Sequence, residues 1–407
     1  MQRALWGRGF KAALGRADAA GEAGGLLMTA PPLALPPSLA SAEEVAFEEL
    51  GVRSLCIAPA CELAARALSS PEERPASGSL TAAAVACRAG LVVDVGFSAT
   101  TAAAVADGRL LAATVRRVDL GGKALTSLLR EAISFRAVSL AGENHLAGAV
   151  KERVAFVAAD PLRAAADCAA AGKGGGVSST APPPGAAPPP DPSAPPLPID
   201  PCPAPGTDPR VEYVLPDGVT VRGAGFARPL PPRLSRAERQ AAAAVAAAAG
   251  AAAGKKRPAS AAANPAGPAE NVIRLGVERF LVPETLFHPG DAGSGQGGVA
   301  EAAAAALAAA PAHLRPLLAS RVLLVGGGSA CPGLAARFQA ELAPLLPDDC
   351  PLTLVAPPHP GLVAWAGGAA LAADPAAWAA RSLTKAEYEE RGSAAAAWCA
   401  GGVVKRQ

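Results

Sequence analysis

The hydrophobic pattern of the chain alternates between short, continuously apolar runs and longer segments with helical periodicity. Gly90 to Val95 (GLVVDV) and Arg321 to Val325 (RVLLV) are rich in branched residues, which is typical of strands buried on both faces. Two amphipathic helices are predicted, one entered through Gly121-Gly122 and one after Pro332-Gly333. Their apolar positions are Leu125, Leu128, Leu129, Ala132 and Ile133 in the first helix, and Leu334, Phe338, Leu342 and Leu345 in the second. The alternation of strands with helices predicts an α/β fold.

A tight hairpin is predicted directly after the first of these strands. Ala102 to Ala106 and Arg109 to Val115 are strand-like segments on either side of Asp107-Gly108. Asp-Gly is favoured in two-residue type I′ turns, because both residues tolerate the left-handed backbone that this turn needs. The sequence therefore predicts two antiparallel strands joined at Asp107-Gly108.

Two segments of low complexity interrupt the α/β pattern. Residues 169–210 are rich in Pro, Gly and Ala, and residues 229–270 are rich in Ala and Pro. Such sequence cannot bury enough apolar surface to offset the entropy of ordering, so both segments are predicted to be disordered inserts. A short ordered segment, Glu212 to Phe226, separates them. Lys255-Lys256-Arg257-Pro258 in the second insert suits a nuclear import signal, although such basic clusters are common by chance.

Composition and charge narrow the class of protein only a little. The 407 residues carry a formal net charge of +2, so the overall balance indicates neither a nucleic acid nor an anionic membrane as partner. The eight cysteines form no CxxC pair and the four histidines are scattered, so no zinc site is predicted. The longest apolar run, Ala241 to Ala253, is shorter than the roughly 20 residues that span a bilayer. We therefore expect a soluble protein without a membrane partner.

Two glycine-rich turns follow the two buried strands and are candidates for binding phosphate. Asp94-Val95-Gly96 places a carboxylate and a turn at the end of the first strand, and Gly326 to Ser329 follow the second. Backbone N–H groups in such turns can approach an anion closely because no Cβ intervenes. A carboxylate beside them suits a metal-bound water near a triphosphate. Tight packing also explains glycine-rich turns between a strand and a helix, so the pattern alone leaves both interpretations open.

Several motifs, in their order along the chain, resemble the actin family. The stretch LVVDVGFSATT and the helix after it resemble actin's second phosphate hairpin, AVKERVAFVAAD its KEK-containing helix, YVLPDGVTV its ELPDG strand, ERFLVPETLFHPGDAG its ERF signature, LLVGGGSACPG its adenosine loop, and WAGGAALA with LTKAEYEERG its C-terminal region. The resemblance implies an α/β, two-lobed fold of the actin, chaperone and sugar-kinase type. It argues against a sugar kinase, because the ERF signature and the C-terminal region are those of actins.

The resemblance also implies a division of the chain into lobes. The expected segments are 1–86 as a partial first lobe, 87–121 as the second lobe with the phosphate hairpin, 122–294 as a peripheral subdomain that carries both inserts, 295–361 as the second lobe with the adenosine loop, and 362–407 as the C-terminal return to the first lobe. The family's N-terminal strand hairpin with the first phosphate loop, and the small lobe after it, are expected to be missing. An incomplete sequence is the favoured explanation, and an edge covered by a partner is the alternative.

The long insert before Glu278-Arg279-Phe280 is most similar to the actin-related protein 6 class. Members of that class are nuclear subunits of SWR/SRCAP-type chromatin remodellers, which exchange variant histones into nucleosomes. The resemblance implies a nuclear protein, with the cytoplasm as an additional location. Its implied partners are a remodelling motor ATPase and other complex subunits, with nucleosomes or histones as indirect partners. A non-catalytic scaffold is the leading hypothesis, and an actin-like ATP-binding protein with weak ATPase activity or a cytoskeletal role is the alternative.

The resemblance assigns a nucleotide pocket residue by residue. The positions that match the family's ATP-binding residues are Asp94, Gly96, Gly122, Lys151, Glu152, Gly326 and Gly327. The competing interpretations are a solvated turn residue for Asp94 and a surface pair on a helix for Lys151-Glu152. The implied ATP pocket is vestigial, and no catalytic residue or metal ligand is assigned.

Other positions depart from the family's pattern. Phe97 replaces the second acidic residue of the phosphate hairpin, and Ser98 replaces the glycine beside it. Thr101 and Ala60 stand where the family has the histidine and the glutamine that position the attacking water. Cys331 replaces the aromatic residue beside the adenine. Because phosphoryl transfer depends on positioning and charge stabilisation, the sequence predicts little ATP hydrolysis.

Overall fold

The computed structural model describes residues 2–15, 24–68, 80–136, 140, 142–173, 202–204, 206–216, 225–230, 271–395 and 398. The chain divides into two compact units. The first unit comprises Met1–Leu125 with Thr285–Gln407, and the second comprises Thr126–Glu284. The finer lobe boundaries expected from the sequence stay a prediction.

Helices and strands follow one another along the described chain, in part singly and in part as runs of several consecutive strands or helices. The helices are α1 (Gln2–Leu14), α2 (Pro36–Glu44), α3 (Ala60–Ala67), α4 (Leu80–Ala86), α5 (Gly122–Arg136), α6 (Asn144–Val154), α7 (Pro161–Lys173), α8 (Glu278–Glu284), α9 (Val299–Ala308), α10 (Arg315–Ala319), α11 (Leu334–Leu342), α12 (Val363–Ala372), α13 (Pro375–Arg381) and α14 (Lys385–Arg391). The strands are β1 (Gly25–Ala30), β2 (Ser54–Pro59), β3 (Gly90–Val95), β4 (Thr100–Ala106), β5 (Arg109–Leu110), β6 (Arg116–Val118), β7 (Val211–Val214), β8 (Phe226–Pro229), β9 (Val272–Leu275), β10 (Val322–Val325), β11 (Leu354–Val355) and β12 (Leu383–Thr384). None of the helices in the described ranges is both long and apolar enough to cross a membrane.

Two sheets lie in the described part of the first unit. Strand β2 lies between β1, which is parallel to it, and β12, which is antiparallel. The larger sheet has the order β11-β10-β3-β4-β5, with β6 paired to β4. In this sheet β10 is parallel to both β3 and β11, whereas β3, β4 and β5 form an antiparallel meander. The mixture of parallel strands and covering helices confirms the predicted α/β class.

The buried strands and the amphipathic helices form where the hydrophobic pattern predicts them. Strand β3 covers Gly90–Val95, and α5 begins at Gly122 with Leu125, Leu129 and Ile133 buried. Helix α11 also buries three of its four predicted apolar positions. The fourth prediction is wrong, because the helix ends at Leu342 and Leu345, in the following 3-10 turn, is 47% exposed.

The hairpin at Asp107-Gly108 has the predicted backbone but a shorter second strand. Asp107 and Gly108 have φ angles of +51° and +67°, as a type I′ turn requires. Strand β5 ends at Leu110 and does not continue to Val115 as predicted. The chain turns away because the Thr114 hydroxyl donates to the Leu111 carbonyl at 2.6 Å and accepts from the Ala104 N–H at 2.9 Å. This pair of bonds replaces the ladder that a longer strand would have formed.

The second unit is built around a small sheet in which β7 lies between β8 and β9, both antiparallel to it. Arg279 of α8 is fully buried in this unit. Its Nε donates to the Val154 carbonyl at 2.8 Å, and its guanidinium carbon lies 4.9 Å from the centre of the Phe156 ring. Helix α7 continues to Lys173, beyond the start of the first insert predicted at residue 169. The rest of that insert up to residue 201, and residues 231–270 of the second, lie outside the described residues.

A buried carboxylate joins distant parts of the first unit. Glu43, at the end of α2, is fully buried and accepts hydrogen bonds from the Ser393 hydroxyl and the Trp398 indole N–H. Burial raises the pKa of Glu43, although both donors oppose that rise. Trp398 packs in the same core cluster as Leu39 and Ile57. Contacts near the C-terminus therefore complete the packing of α2.

Candidate functional site

The candidate site lies where β3 and β10 end side by side in the larger sheet. Val325 pairs with Asp94 in the parallel register, so the Asp94 carboxylate and the turn that begins at Gly326 meet at one edge of the sheet. Ligands of open α/β sheets commonly bind outside the carboxyl ends of parallel strands. The structure thus brings together two turns that lie far apart in the sequence.

Only glycine fits at position 326, because of its backbone conformation and because of the atoms that surround it. Its φ angle is +88°, which side chains other than glycine rarely adopt. A Cβ at this position would lie 2.2 Å from Oδ1 of Asp94 and 2.6 Å from the Val95 carbonyl oxygen. The turn is fixed by the Gly326 N–H, which donates to the Pro360 carbonyl at 3.1 Å, and by the Ser329 hydroxyl, which donates to the Gly326 carbonyl at 2.7 Å.

The Asp94 carboxylate is partly buried and has no donor within the described residues. Burial raises its pKa above the ordinary value of 3.8, and no hydrogen bond opposes the rise. A carboxylate without a donor in such a place is suited to hold a hydrated cation, whose charge would favour the ionised carboxylate. Asp94 therefore has the environment expected of a ligand-facing group.

The turn between β3 and β4 also caps the start of α5. The Gly96 N–H donates to the Ala99 carbonyl at 3.2 Å, which closes the turn. The Gly122 N–H donates to the Gly96 carbonyl at 3.0 Å, and the Lys123 N–H donates to the Phe97 carbonyl at 2.8 Å. These bonds satisfy the first N–H groups of α5, which would otherwise lack partners. The structure therefore places Gly96 and Gly122 in direct contact, as the predicted site requires.

Gly121 was not among the predicted site residues, although the helix was predicted to start at this glycine pair. A Cβ at Gly121 would lie 2.7 Å from the Phe97 carbonyl oxygen and 2.8 Å from the Ala99 nitrogen. Only a glycine lets the turn approach the start of α5 this closely. The sequence signal that could have identified Gly121 is the pair of glycines at the start of the predicted helix.

The backbone around the turn fits a phosphate group. Within the described part of the chain, the N–H groups of Phe97 and Ser98 donate to no acceptor. Two successive free N–H groups beside a carboxylate form an anion-binding turn in which a cation can bridge to the carboxylate. When ATP is bound, these N–H groups would hold a phosphate oxygen, and Asp94 would hold the water shell of the accompanying cation. The residues present thus fit a nucleotide phosphate.

The remaining predicted site residues belong to the second unit. Lys151 and Glu152 lie on α6, as predicted, and the Lys151 ammonium donates to the Thr126 hydroxyl at 3.0 Å. Glu152 is exposed. Their role at the nucleoside stays a prediction, whereas Asp94, Gly96, Gly122, Gly326 and Gly327 are gathered within the first unit.

The substituted positions lie in the first unit, as Asp94 does. Thr101 is directly opposite Asp94 in the ladder between β3 and β4. Ala60 is the first residue of α3. The next residue, Cys61, lies close enough to Asp94 for the carboxylate charge to affect the pKa of its thiol. Burial, with smaller contributions from the charges of Glu62 and Asp94, raises the pKa of Cys61 to about 12, so the thiol stays protonated. The Phe97 side chain is 68% exposed.

Comparisons with known proteins agree with this geometry. The Actin family model matches residues 1–147 and 140–400. Actin-related protein 6 of Oryza sativa subsp. indica is 35% identical over 88% of this chain and 73% of its own length. Actin-related protein 6 of Arabidopsis thaliana is 32% identical over 97% of this chain and 80% of its own, and that of Drosophila melanogaster is 30% identical over 86% and 70%. The resemblance seen in the motifs is confirmed, and the chain belongs to the actin family.

Proposed function

We propose that the chain is a non-catalytic structural subunit of a nuclear chromatin-remodelling complex that exchanges variant histones, with the actin fold serving as a docking body. Its similarity to proteins named actin-related protein 6 supports the assignment to this class. The observation that carries the non-catalytic part is the identity of two side chains, Thr101 opposite Asp94 in the β3–β4 ladder and Ala60 at the start of α3. Ala60 and Thr101 occupy the places that the family resemblance gives to the residues that position the attacking water.

The chemistry of these two side chains supports slow turnover. Hydrolysis of a phosphoanhydride needs a water molecule held in line with the bond that breaks. The methyl group of Ala60 offers no hydrogen bond to a water molecule, and the Thr101 hydroxyl cannot accept a proton as an imidazole can. Loss of a positioned acid or base group costs roughly 10²- to 10⁴-fold in rate. The described residues of the site include groups suited to hold phosphate, whereas neither Ala60 nor Thr101 is suited to activate water.

An actin-like ATP-binding protein with weak ATPase activity or a cytoskeletal role is the second candidate. The free N–H groups of Phe97 and Ser98 beside Asp94 favour it, because they fit a phosphate group. Both candidate functions are compatible with weak ATP binding. They differ in the expected rate of ATP hydrolysis and in the expected location of the protein in the cell.

Turnover of the purified full-length protein tests the first part of the proposal. Phosphate release should be at least roughly 100-fold slower than that of conventional actin measured in parallel. The matched variant is Asp94→Asn, which should weaken ATP binding and leave this low rate unchanged. A rate like that of conventional actin that disappears in Asp94→Asn would contradict the non-catalytic assignment.

Affinity purification tests the assignment to a complex. Tagged protein from nuclear extract should co-purify with a Swi/Snf-type motor ATPase and other remodeller subunits, with variant histones present through them. The Asp94→Asn protein should recover the same subunits, because a docking body does not need bound nucleotide. Recovery of monomer alone, or of cytoplasmic filaments, would contradict the nuclear role.

A further inference from the structure

Three arginines gather around the hairpin turn Asp107-Gly108, away from the candidate nucleotide site. Arg381 donates from Nη2 to the Gly108 carbonyl at 3.1 Å. The Gly108 N–H donates to the Arg88 carbonyl at 3.3 Å. A Cβ added to Gly108 would lie 3.5 Å from the Arg88 Cδ, so the Arg88 side chain packs against the turn. Arg66 is close enough for its guanidinium to be repelled by both of the others. We call Arg66, Arg88 and Arg381 the arginine cluster.

The arginine cluster has more positive charge than the carboxylates that pair with it in the described part of the chain. Arg66 pairs with Asp374 at 3.1 Å, and Arg381 pairs with Glu62 at 2.8 Å. The Arg88 guanidinium makes no hydrogen bond or ion pair with any residue that the structure describes. Asp107 and Arg109, both exposed on the turn, add one charge of each sign. Among the described residues, two carboxylates therefore pair with the three guanidinium groups, and like charges of the cluster repel one another.

Arg88 is also held in an unfavourable backbone conformation. It is exposed two residues after α4, and its φ angle of +47° lies in the left-handed region. Glycine or asparagine would adopt this conformation at lower cost. Nothing about the turn requires an arginine there. Strained, exposed residues are concentrated at functional sites, where the side chain is needed in spite of its backbone.

We infer that the arginine cluster binds an acidic segment of a partner protein that presents two or more neighbouring carboxylates. Guanidinium groups pair with carboxylates through two parallel hydrogen bonds, and Arg88 offers this geometry unused. A nucleic acid is less suitable. Its phosphates need a long basic stripe, whereas this cluster is compact and interleaved with Glu62, Asp374 and Asp107. The inference goes beyond the proposed function, because it specifies a binding surface whether or not the partner is a remodeller.

The test uses the full-length protein and fluorescence anisotropy. The probe is a short labelled peptide with a run of glutamates, and the comparison probes are the same peptide with glutamines and a labelled DNA duplex of mixed sequence. The protein should bind the glutamate peptide, and added salt should weaken the binding. Arg88→Gln should lower the affinity roughly 5- to 20-fold, the loss expected for one charge-assisted pair.

Arg53→Gln is the matched control, because Arg53 is another exposed arginine of the first unit without a side-chain partner in the described residues. It should leave peptide binding unchanged, and circular dichroism should show that both variants fold. An equal loss of peptide affinity in the two variants would mean that only the net charge of the protein matters, and it would overturn the inference. Unchanged peptide binding in Arg88→Gln would also overturn it. So would DNA binding that is lost in Arg88→Gln in the absence of peptide binding, because the surface would then be one for nucleic acid.

Discussion

Glu62 and Arg381, which are 319 residues apart in the chain, form an ion pair in which Nη1 lies 2.8 Å from Oε2. Only 3% of the Glu62 side chain is exposed. Its other oxygen, Oε1, accepts the Leu110 N–H at 2.9 Å, while Arg381 also donates to the Gly108 carbonyl. The pair therefore fastens the hairpin of β4 and β5 to α3 and α13.

Arg381→Met should destabilise the protein strongly. It leaves the Glu62 carboxylate buried without its cation, and such a change lowers the free energy of unfolding by about 3–5 kcal/mol. Urea denaturation measures the loss. The double variant Glu62→Leu with Arg381→Met should recover part of it, because no buried charge is left unpaired. A loss below about 1 kcal/mol in the single variant would show that solvent already screens the pair.

Gly326→Ala should damage the candidate site far more than Gly327→Ala. The first substitution combines a left-handed φ angle with a Cβ placed 2.2 Å from Asp94, so the free energy of unfolding should fall by roughly 2–4 kcal/mol. A Cβ on Gly327 would meet no atom within 4 Å, so its effect should stay within about 0.5 kcal/mol. Thermal denaturation of both variants measures the difference. Equal effects would contradict the close approach of the two turns.

Asp94→Asn should stabilise the protein at neutral pH. Burial raises the pKa of Asp94 in the folded protein, so the folded state binds the proton more tightly than the unfolded chain. The corresponding stability is present below the ordinary pKa of 3.8 and is lost as the pH rises through the folded-state pKa. The variant should thus gain about 1 kcal/mol over the natural protein at pH 7.

The same comparison at low pH separates charge from shape. Below the ordinary pKa of 3.8, Asp94 is protonated in both states and the advantage of the asparagine should disappear. Urea denaturation across this range measures the difference at each pH. An advantage that does not change with pH would mean that packing, and not the burial of a charge, distinguishes the variant.

Arg88→Gly should make the protein more stable while weakening its binding to the glutamate peptide. Glycine relieves the left-handed strain at φ +47°, and the gain should be about 0.5–1 kcal/mol after the greater entropy of the unfolded chain is counted. Arg88→Gln keeps the strained backbone and should change stability by less. Unfolding and peptide anisotropy can be measured on the same samples. Lower stability in Arg88→Gly would argue that the arginine serves the fold and not a partner.

The elements that the sequence predicts well are those whose signals are local. Strand β3 is a continuous apolar run, α5 follows a helical repeat after two glycines, and the Asp107-Gly108 turn is encoded by its own two residues. The meeting of Asp94 with Gly326 also follows from local signals, because parallel strands end at the same edge of a sheet.

The features that the sequence could not predict depend on contacts between distant residues. Strand β5 stops early because the Thr114 hydroxyl accepts a hydrogen bond from the Ala104 N–H. The hydrophobic periodicity of the sequence does not indicate that bond. The Glu62–Arg381 pair joins residues that look like ordinary surface charges in the sequence. The positive φ angle of Arg88 is equally hidden, since arginine is not a residue that indicates a left-handed turn.

The buried Glu43 carboxylate constrains the order in which this chain can fold during synthesis. Its hydrogen-bond donors, Ser393 and Trp398, lie 350 and 355 residues further along. Until these donors emerge from the ribosome, burial of the Glu43 carboxyl group would leave it without their hydrogen bonds, and burying a polar group without hydrogen bonds is costly. Helix α2 therefore reaches its native packing only after residues 393 to 398 have been synthesised.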